Sequence, residues 1–193
     1  MFTFDHLTFR YRDYLFEDYS GLIPEHKVGI VGRNGSGKTT LLKLIDHQLQ
    51  PERGSLRVDG STYLVDFDLR RYQQFTMDDL VTLCAPLESF DVAGADHIAS
   101  LLHANDYRHI PIGELSTGVT KKAALLMGLL STARVLLVDE PFESLDAETN
   151  EELTSLLRQQ ARAVVVVSHD QELLKESVEV VYRVEDRQLV RTC

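Results

Sequence analysis

Cysteine is scarce in this chain, and the two present, Cys84 and Cys193, lie far apart. Such usage excludes a disulfide framework and any zinc site built on paired cysteines, and it points to a reducing compartment. No apolar run approaches the roughly 20 residues that a membrane-crossing helix needs. The opening Met1-Phe2-Thr3-Phe4-Asp5 has neither the basic region nor the apolar stretch of a secretory signal, so a cytoplasmic location is expected. Positive charge is also in short supply, with 20 Lys and Arg against 30 Asp and Glu and a formal net charge of −10. That balance argues against a broad basic face for nucleic acid. Internal duplication and low-complexity linkers are absent too.

What the chain has is enough length, at 193 residues, for one well-packed domain, and 44% hydrophobic content to fill its core. The opening Phe2-x-Phe4-x-x-Leu7-x-Phe9-x-Tyr11 predicts one or two short strands, and a second strand segment leads to a turn at Pro24-Glu25-His26. Val28-Gly29-Ile30-Val31 predicts a strand, and the apolar spacing after Gly37 predicts a helix running to about Leu49. Pro51 to Gly54 break it before two short strands, Ser55–Val58 and Tyr63–Val65. Helical spacing then marks Thr76–Leu87 and Val92–Leu102, with a further helix starting after Gly118. We therefore expect a mostly helical lobe over residues 72–132, inserted in a single domain spanning 1–193. Val135–Val138, the helix Asp146–Gln159 and the strand Ala163–Val167 return to the α/β pattern. Apolar strands alternating with helices imply an α/β fold with a mostly parallel sheet covered on both faces. The tail, Val178–Val184 and Gln188–Val190, predicts a β-hairpin or edge pair.

The segment Gly32-Arg33-Asn34-Gly35-Ser36-Gly37-Lys38-Thr39-Thr40 stands between a predicted strand and a predicted helix. Strand, glycine loop, helix is the context of a phosphate-binding P-loop. Its glycines let successive N–H groups turn inward around phosphate oxygens, and the helix N-terminus adds its positive end. Lys38 is placed to reach between the β- and γ-phosphates of a nucleotide, and Thr39 to offer its hydroxyl to Mg²⁺. Asp139, at the end of an apolar strand, is the natural second holder of that ion. Glu140, one residue on, faces the position of an attacking water and is the candidate catalytic base. His169 follows the strand Val164–Val167 at the same sheet edge and is expected to touch the γ-phosphate or the water. The other histidines, such as His6, His26 and His47, have no such context and are expected to be surface or packing residues.

Together these residues resemble the ATPase domain of the ATP-binding cassette (ABC) family. The matching motifs are GRNGSGKTT at 32–40, LSTGV at 115–119, VLLVDEP at 135–141, SLD at 144–146 and SHD at 168–170. The resemblance spans nearly the whole chain. It implies a P-loop cassette with an antiparallel β-subdomain and an inserted helical lobe, which binds ATP and Mg²⁺ in sites shared between two cassettes. Ser116 and Gly118 would contact the nucleotide of the opposing cassette, and Asp146 would belong to the loop that communicates across that interface. Tyr11 matches the aromatic that stacks on adenine, with Phe9 as its rival. Two departures stand out. Thr117 and Val119 replace a glycine and a glutamine of the usual LSGGQ, so altered recognition across the interface is expected. Asp66 falls where a metal-contacting glutamine is usual, with Gln73 and Gln74 further along. The resemblance further implies a second cassette, as homodimer or heterodimer, and a separate membrane permease that would hold the chain at the inner face of the cell membrane. A soluble cassette serving a macromolecular machine, or a weakly hydrolysing nucleotide switch, are the alternatives.

Overall fold

The computed structural model describes residues 1–192, so Cys193 lies outside the described residues. Strands β1 (Phe2–Arg10) and β2 (Tyr14–Ile23) form an antiparallel pair, and β4 (Arg53–Val58) joins them in a three-stranded sheet of order β2-β1-β4. The main sheet has six strands. Its members are β3 (Lys27–Gly32), β5 (Thr62–Leu64), β6 (Val135–Asp139), β7 (Ala163–Val167), β8 (Val180–Glu185) and β9 (Gln188–Arg191). Their order is β5-β6-β7-β3-β8-β9, parallel throughout except for the final β8–β9 hairpin. The fold is thus α/β, as the strand and helix alternation predicts.

The strand sequences are apolar without alternation because both sheet faces are covered. Along β7, Val164 and Val166 join one hydrophobic core while Val165 and Val167 join the other. The first core gathers Val138 with Leu125, Leu126, Leu153 and Leu174 from the helices. The second gathers Ile30 and Leu137 with Leu41 and Leu42 from the phosphate-loop helix and Phe2, Phe4 and Phe16 from the antiparallel sheet. Each such fully buried side chain contributes about 1.5–3 kcal/mol.

Among the described residues six α-helices connect the strands: α1 (Lys38–Ile45), α2 (Met77–Cys84), α3 (Ala95–Leu101), α4 (Thr117–Leu130), α5 (Ala147–Gln159) and α6 (Gln171–Ser177). Helices α2, α3 and α4 lie between β5 and β6 in the chain. Several boundaries differ from the sequence reading, among them the end of α2 at Cys84 rather than Leu87, and three have a plain local cause. Helix α1 stops at Ile45 rather than near Leu49, because His47 turns left-handed at φ 56° and its N–H closes a tighter turn on Leu44 O at 3.1 Å. Helix α4 starts at Thr117, ahead of Gly118, because Ser116 Oγ accepts the Val119 N–H and caps it. Asp146 likewise stands just outside α5 as its cap, accepting the Thr149 N–H at 2.8 Å. Among the described residues no helix is long and apolar enough to cross a membrane.

Candidate nucleotide site

The phosphate loop leaves the C-terminal end of β3, a central strand flanked by β7 and β8. Gly35 and Gly37 adopt φ values of 77° and 104°, a region that side chains disfavour. Gly37 also precedes α1 without any side-chain cap, so the first N–H groups of that helix keep their capacity for an anion. Lys38 is buried, and its Nζ donates to Gly32 O at 3.1 Å and Arg33 O at 3.3 Å. The ammonium thereby folds over its own loop at the level where phosphates would enter. Ser36 Oγ is buried inside the loop without a hydrogen-bond partner. An unpaired hydroxyl in this loop is a polar group of the kind that a phosphate oxygen can satisfy.

Parallel pairing of β6 with β7 sets Asp139 opposite Val167, which brings Asp139 and Glu140 beside Ser168 and His169. Thr39 Oγ1 donates to Asp139 Oδ2 at 2.6 Å. These two oxygens are a hard donor pair of the kind Mg²⁺ takes, completed by phosphates and water. No cluster of three or more His, Cys, Asp or Glu suited to a metal occurs among the described residues.

Glu140 turns sharply away from the strand at φ 50°. Its Oε2 accepts the backbone N–H of His169 at 2.9 Å, and its Oε1 lies 3.1 Å from His169 Nε2 without the alignment of a hydrogen bond. Burial pushes the Glu140 carboxyl above the ordinary glutamate range, with the His169 N–H and imidazole pulling partly the other way. A carboxylate so raised is a better proton acceptor.

The structure also locates the remaining expected residues. Ser116 is exposed at the head of α4 with its hydroxyl engaged in capping. Gly118 packs so tightly that an added Cβ would sit 2.5 Å from Ser144 O, giving this glycine a reason within its own chain. Asp146 Oδ2 meets the buried Lys122 ammonium at 3.1 Å. Asp66 is exposed, and its Oδ1 accepts the Asp68 N–H at 2.9 Å; among the described residues it has no hydrogen bond to Thr39 or Asp139. Gln73 and Gln74 are exposed as well.

A cavity of about 670 Å³ runs from the phosphate loop to the β8–β9 turn, lined by Tyr14, Arg33, Ser36, His169, Arg183 and Arg187 among others. Tyr11 does not line it: this ring is 65% exposed and stands edge-on to Phe9 at 5.2 Å. Phe9 itself is buried in the antiparallel-sheet core. The aromatic at the cavity is Tyr14, with the Arg10 and Arg187 guanidinium groups 5.3 and 5.6 Å from its ring centre. No motif in the sequence marks Tyr14 or Arg187, because the turn that carries Arg187 reaches the loop only through β8 pairing with β3.

A family model described as ABC transporter matches residues 20–143. The chain belongs to that family. It is a cassette ATPase domain, and relatives of more than one kind resemble it. The ribosome protection protein VmlR of Bacillus subtilis is 33% identical, over 84% of this cassette and 27% of VmlR. The manganese transport system ATP-binding protein MntA of a Synechocystis species is 31% identical, over 73% of the cassette and 63% of MntA. The chain spans about 27% of the length of the first curated relatives it matches. Among solved structures, the bacterial ABC transporter cassette MJ0796, solved as a dimer, superposes with a TM-score of 0.85 at 21% identity, covering 99% of this chain and 97% of that one.

Proposed function

We propose that this cassette binds ATP with Mg²⁺ and hydrolyses it, using the energy to close and reopen a pair of cassettes. The observation that carries the reading is the Glu140 carboxylate, held against His169 beside the 2.6 Å Thr39–Asp139 pair. The β- and γ-phosphates lie across Gly32 to Thr40, where the N–H groups and the uncapped start of α1 receive them and Lys38 exchanges its carbonyl partners for phosphate oxygens. Arg33 and Asn34 flank the same groove. Thr39 and Asp139 would hold Mg²⁺, which supplies charge neutralisation on the phosphates. Glu140 accepts a proton from water as its oxygen bonds to the γ-phosphorus. The bond from that phosphorus to the bridging oxygen breaks, and ADP leaves with the electron pair. His169 donates a hydrogen bond to the γ-phosphate or to that water.

Ser116 and Gly118 serve the nucleotide of a second cassette, as homodimer or heterodimer. Asp146, tied to Lys122 and to α5, acts there through the loop it anchors. Residues 72–132 form the lobe that transmits the motion within the single domain. In the reading we favour, the chain is the cytoplasmic ATPase of a transporter, held at the inner membrane face by a separate permease, as the likeness to MntA supports. The likeness to a protein named for ribosome protection favours a second reading, a soluble cassette working on a macromolecular machine.

The deciding experiment measures Mg²⁺-dependent ATP turnover and oligomeric mass for wild type and Glu140→Gln. Turnover that falls about 10²- to 10⁴-fold in the variant, with ATP-bound dimers accumulating, supports the reading. Unchanged turnover removes Glu140 as the base. Co-purification from native membranes with an integral protein favours the transporter; sedimentation with ribosomes favours the soluble machine.

A further inference from the structure

Lys121 and Lys122 follow the LSTGV signature at 115–119 as an adjacent pair, and nothing in the sequence distinguishes them. The structure separates them. Lys122 is spent on the Asp146 carboxylate. Lys121 reaches a different target: its Nζ donates to Glu140 O at 2.5 Å and to Glu143 O at 2.9 Å. The same ammonium lies 5.0 Å from the centre of the Phe67 ring, on the segment after β5. It is half-buried, and the loss of water lowers its pKa.

The loop it grips is unusual. Residues 140–144 begin and end with non-glycine residues in the left-handed region, Glu140 at φ 50° and Ser144 at φ 65°. Such conformations persist only where the surroundings over-determine them. Hydrogen bonds from an ammonium to two carbonyls of one turn are charge-assisted and directional, and they supply that constraint. Ser144 is in turn pressed against Gly118, two residues beyond the α4 cap.

We propose that Lys121 is a positioning residue, whose ammonium fixes the backbone turn that aims the Glu140 carboxylate and ties that turn to the helix headed by Ser116. The base is then oriented from the same helix that presents the signature to a second cassette. A shift of α4 on cassette closure would reach Glu140 through this side chain, alongside the Gly118–Ser144 contact, with the Phe67 ring against the ammonium. This inference rests on Glu140 acting as the base.

The test compares Lys121→Met and Lys121→Arg with wild type in the full chain, measuring kcat for ATP turnover and ATP affinity separately. Lys121→Met is expected to lower kcat about 10- to 100-fold, as misplacement of a reacting group does. Its Kd for ATP is expected to stay within about twofold, since Lys121 touches no residue of the phosphate loop. Lys121→Arg, which keeps N–H donors, should recover most of the rate. A wild-type kcat in Lys121→Met overturns the proposal, as does an equal fall in affinity or an Arg variant no better than Met. Should Lys121→Met fail to fold by circular dichroism, Lys121→Gln, which keeps a neutral donor, takes its place with the same criteria. Glu140→Gln assayed in parallel separates the two inferences. If it turns over like wild type, the base assignment fails; if it is slow while the Lys121 variants are fast, only the positioning role fails.

Discussion

The phosphate loop and the signature turn both stand at the head of a helix, yet they spend their polar groups in opposite ways. Helix α1 begins at Gly37 with no side-chain cap, a buried Ser36 hydroxyl without a partner and Lys38 resting on its own carbonyls. The Ser36 hydroxyl and the uncapped helix start keep polar capacity that the chain itself does not use. Helix α4 begins at Ser116 with its cap made, and Gly118 closes against Ser144. The first site is assembled from groups left open, the second from groups already satisfied within the chain. A motif residue can thus have a complete structural reason at home before any partner is invoked.

That contrast is sharpest at Ser116, where the two roles can be pulled apart. Aspartate caps a helix about as well as serine but presents a negative charge to phosphate. In a Glu140→Gln background, Ser116→Asp should weaken ATP-dependent association about 100-fold, measured by sedimentation, while the melting temperature stays nearly unchanged. Undiminished association would assign Ser116 to capping alone.

A smaller effect tests whether Asp146 belongs to the satisfied group. Its carboxylate is held below the ordinary range, chiefly by the Thr149 N–H and further by the Lys122 ammonium. A depressed folded-state pKa gives stability that is present above the unfolded value and lost as pH falls through the folded one. Asp146→Ala should therefore cost about 1 kcal/mol at neutral pH, read from urea unfolding. The gap from wild type should narrow below about pH 4, where the unfolded carboxyl protonates. A gap independent of pH would mean that the charge has no part in the cap.

The smallest effect concerns the departures in LSTGV. Thr117→Gly with Val119→Gln restores backbone access and an amide, and should strengthen ATP-dependent association about threefold, the worth of one modest hydrogen bond. Weaker association after the exchange would show that Thr117 and Val119 suit the natural partner better than the usual residues.

Much of this site was legible in the sequence for a local reason. Glycines at 32, 35 and 37 before a lysine announce their loop, and an apolar strand ending in Asp139-Glu140 announces the sheet edge. What stayed hidden depends on distant pairing. Strands β4 and β5 look alike as short segments, yet one joins the antiparallel sheet and the other the edge of the main sheet. Tyr14 and Arg187 meet across the cavity wall only because separate sheets bring them there. Lys121 was invisible because a lysine in a polar helical run ordinarily faces water. The α1 terminus was misplaced because apolar spacing continues to Leu49 while the backbone has already turned at His47.

The position of β3 has a consequence in time. This strand carries the phosphate loop and is synthesised before its two neighbours, β7 and β8, which lie in the last third of the described chain, with Val28 paired to Val165 on one side and Val180 on the other. Contacts between residues so far apart form late and slowly. The loop most recognisable in the sequence is therefore among the last features to acquire its native support. Nucleotide can favour the finished cassette by mass action, but it cannot template the growing one: during synthesis the P-loop is a motif without a site.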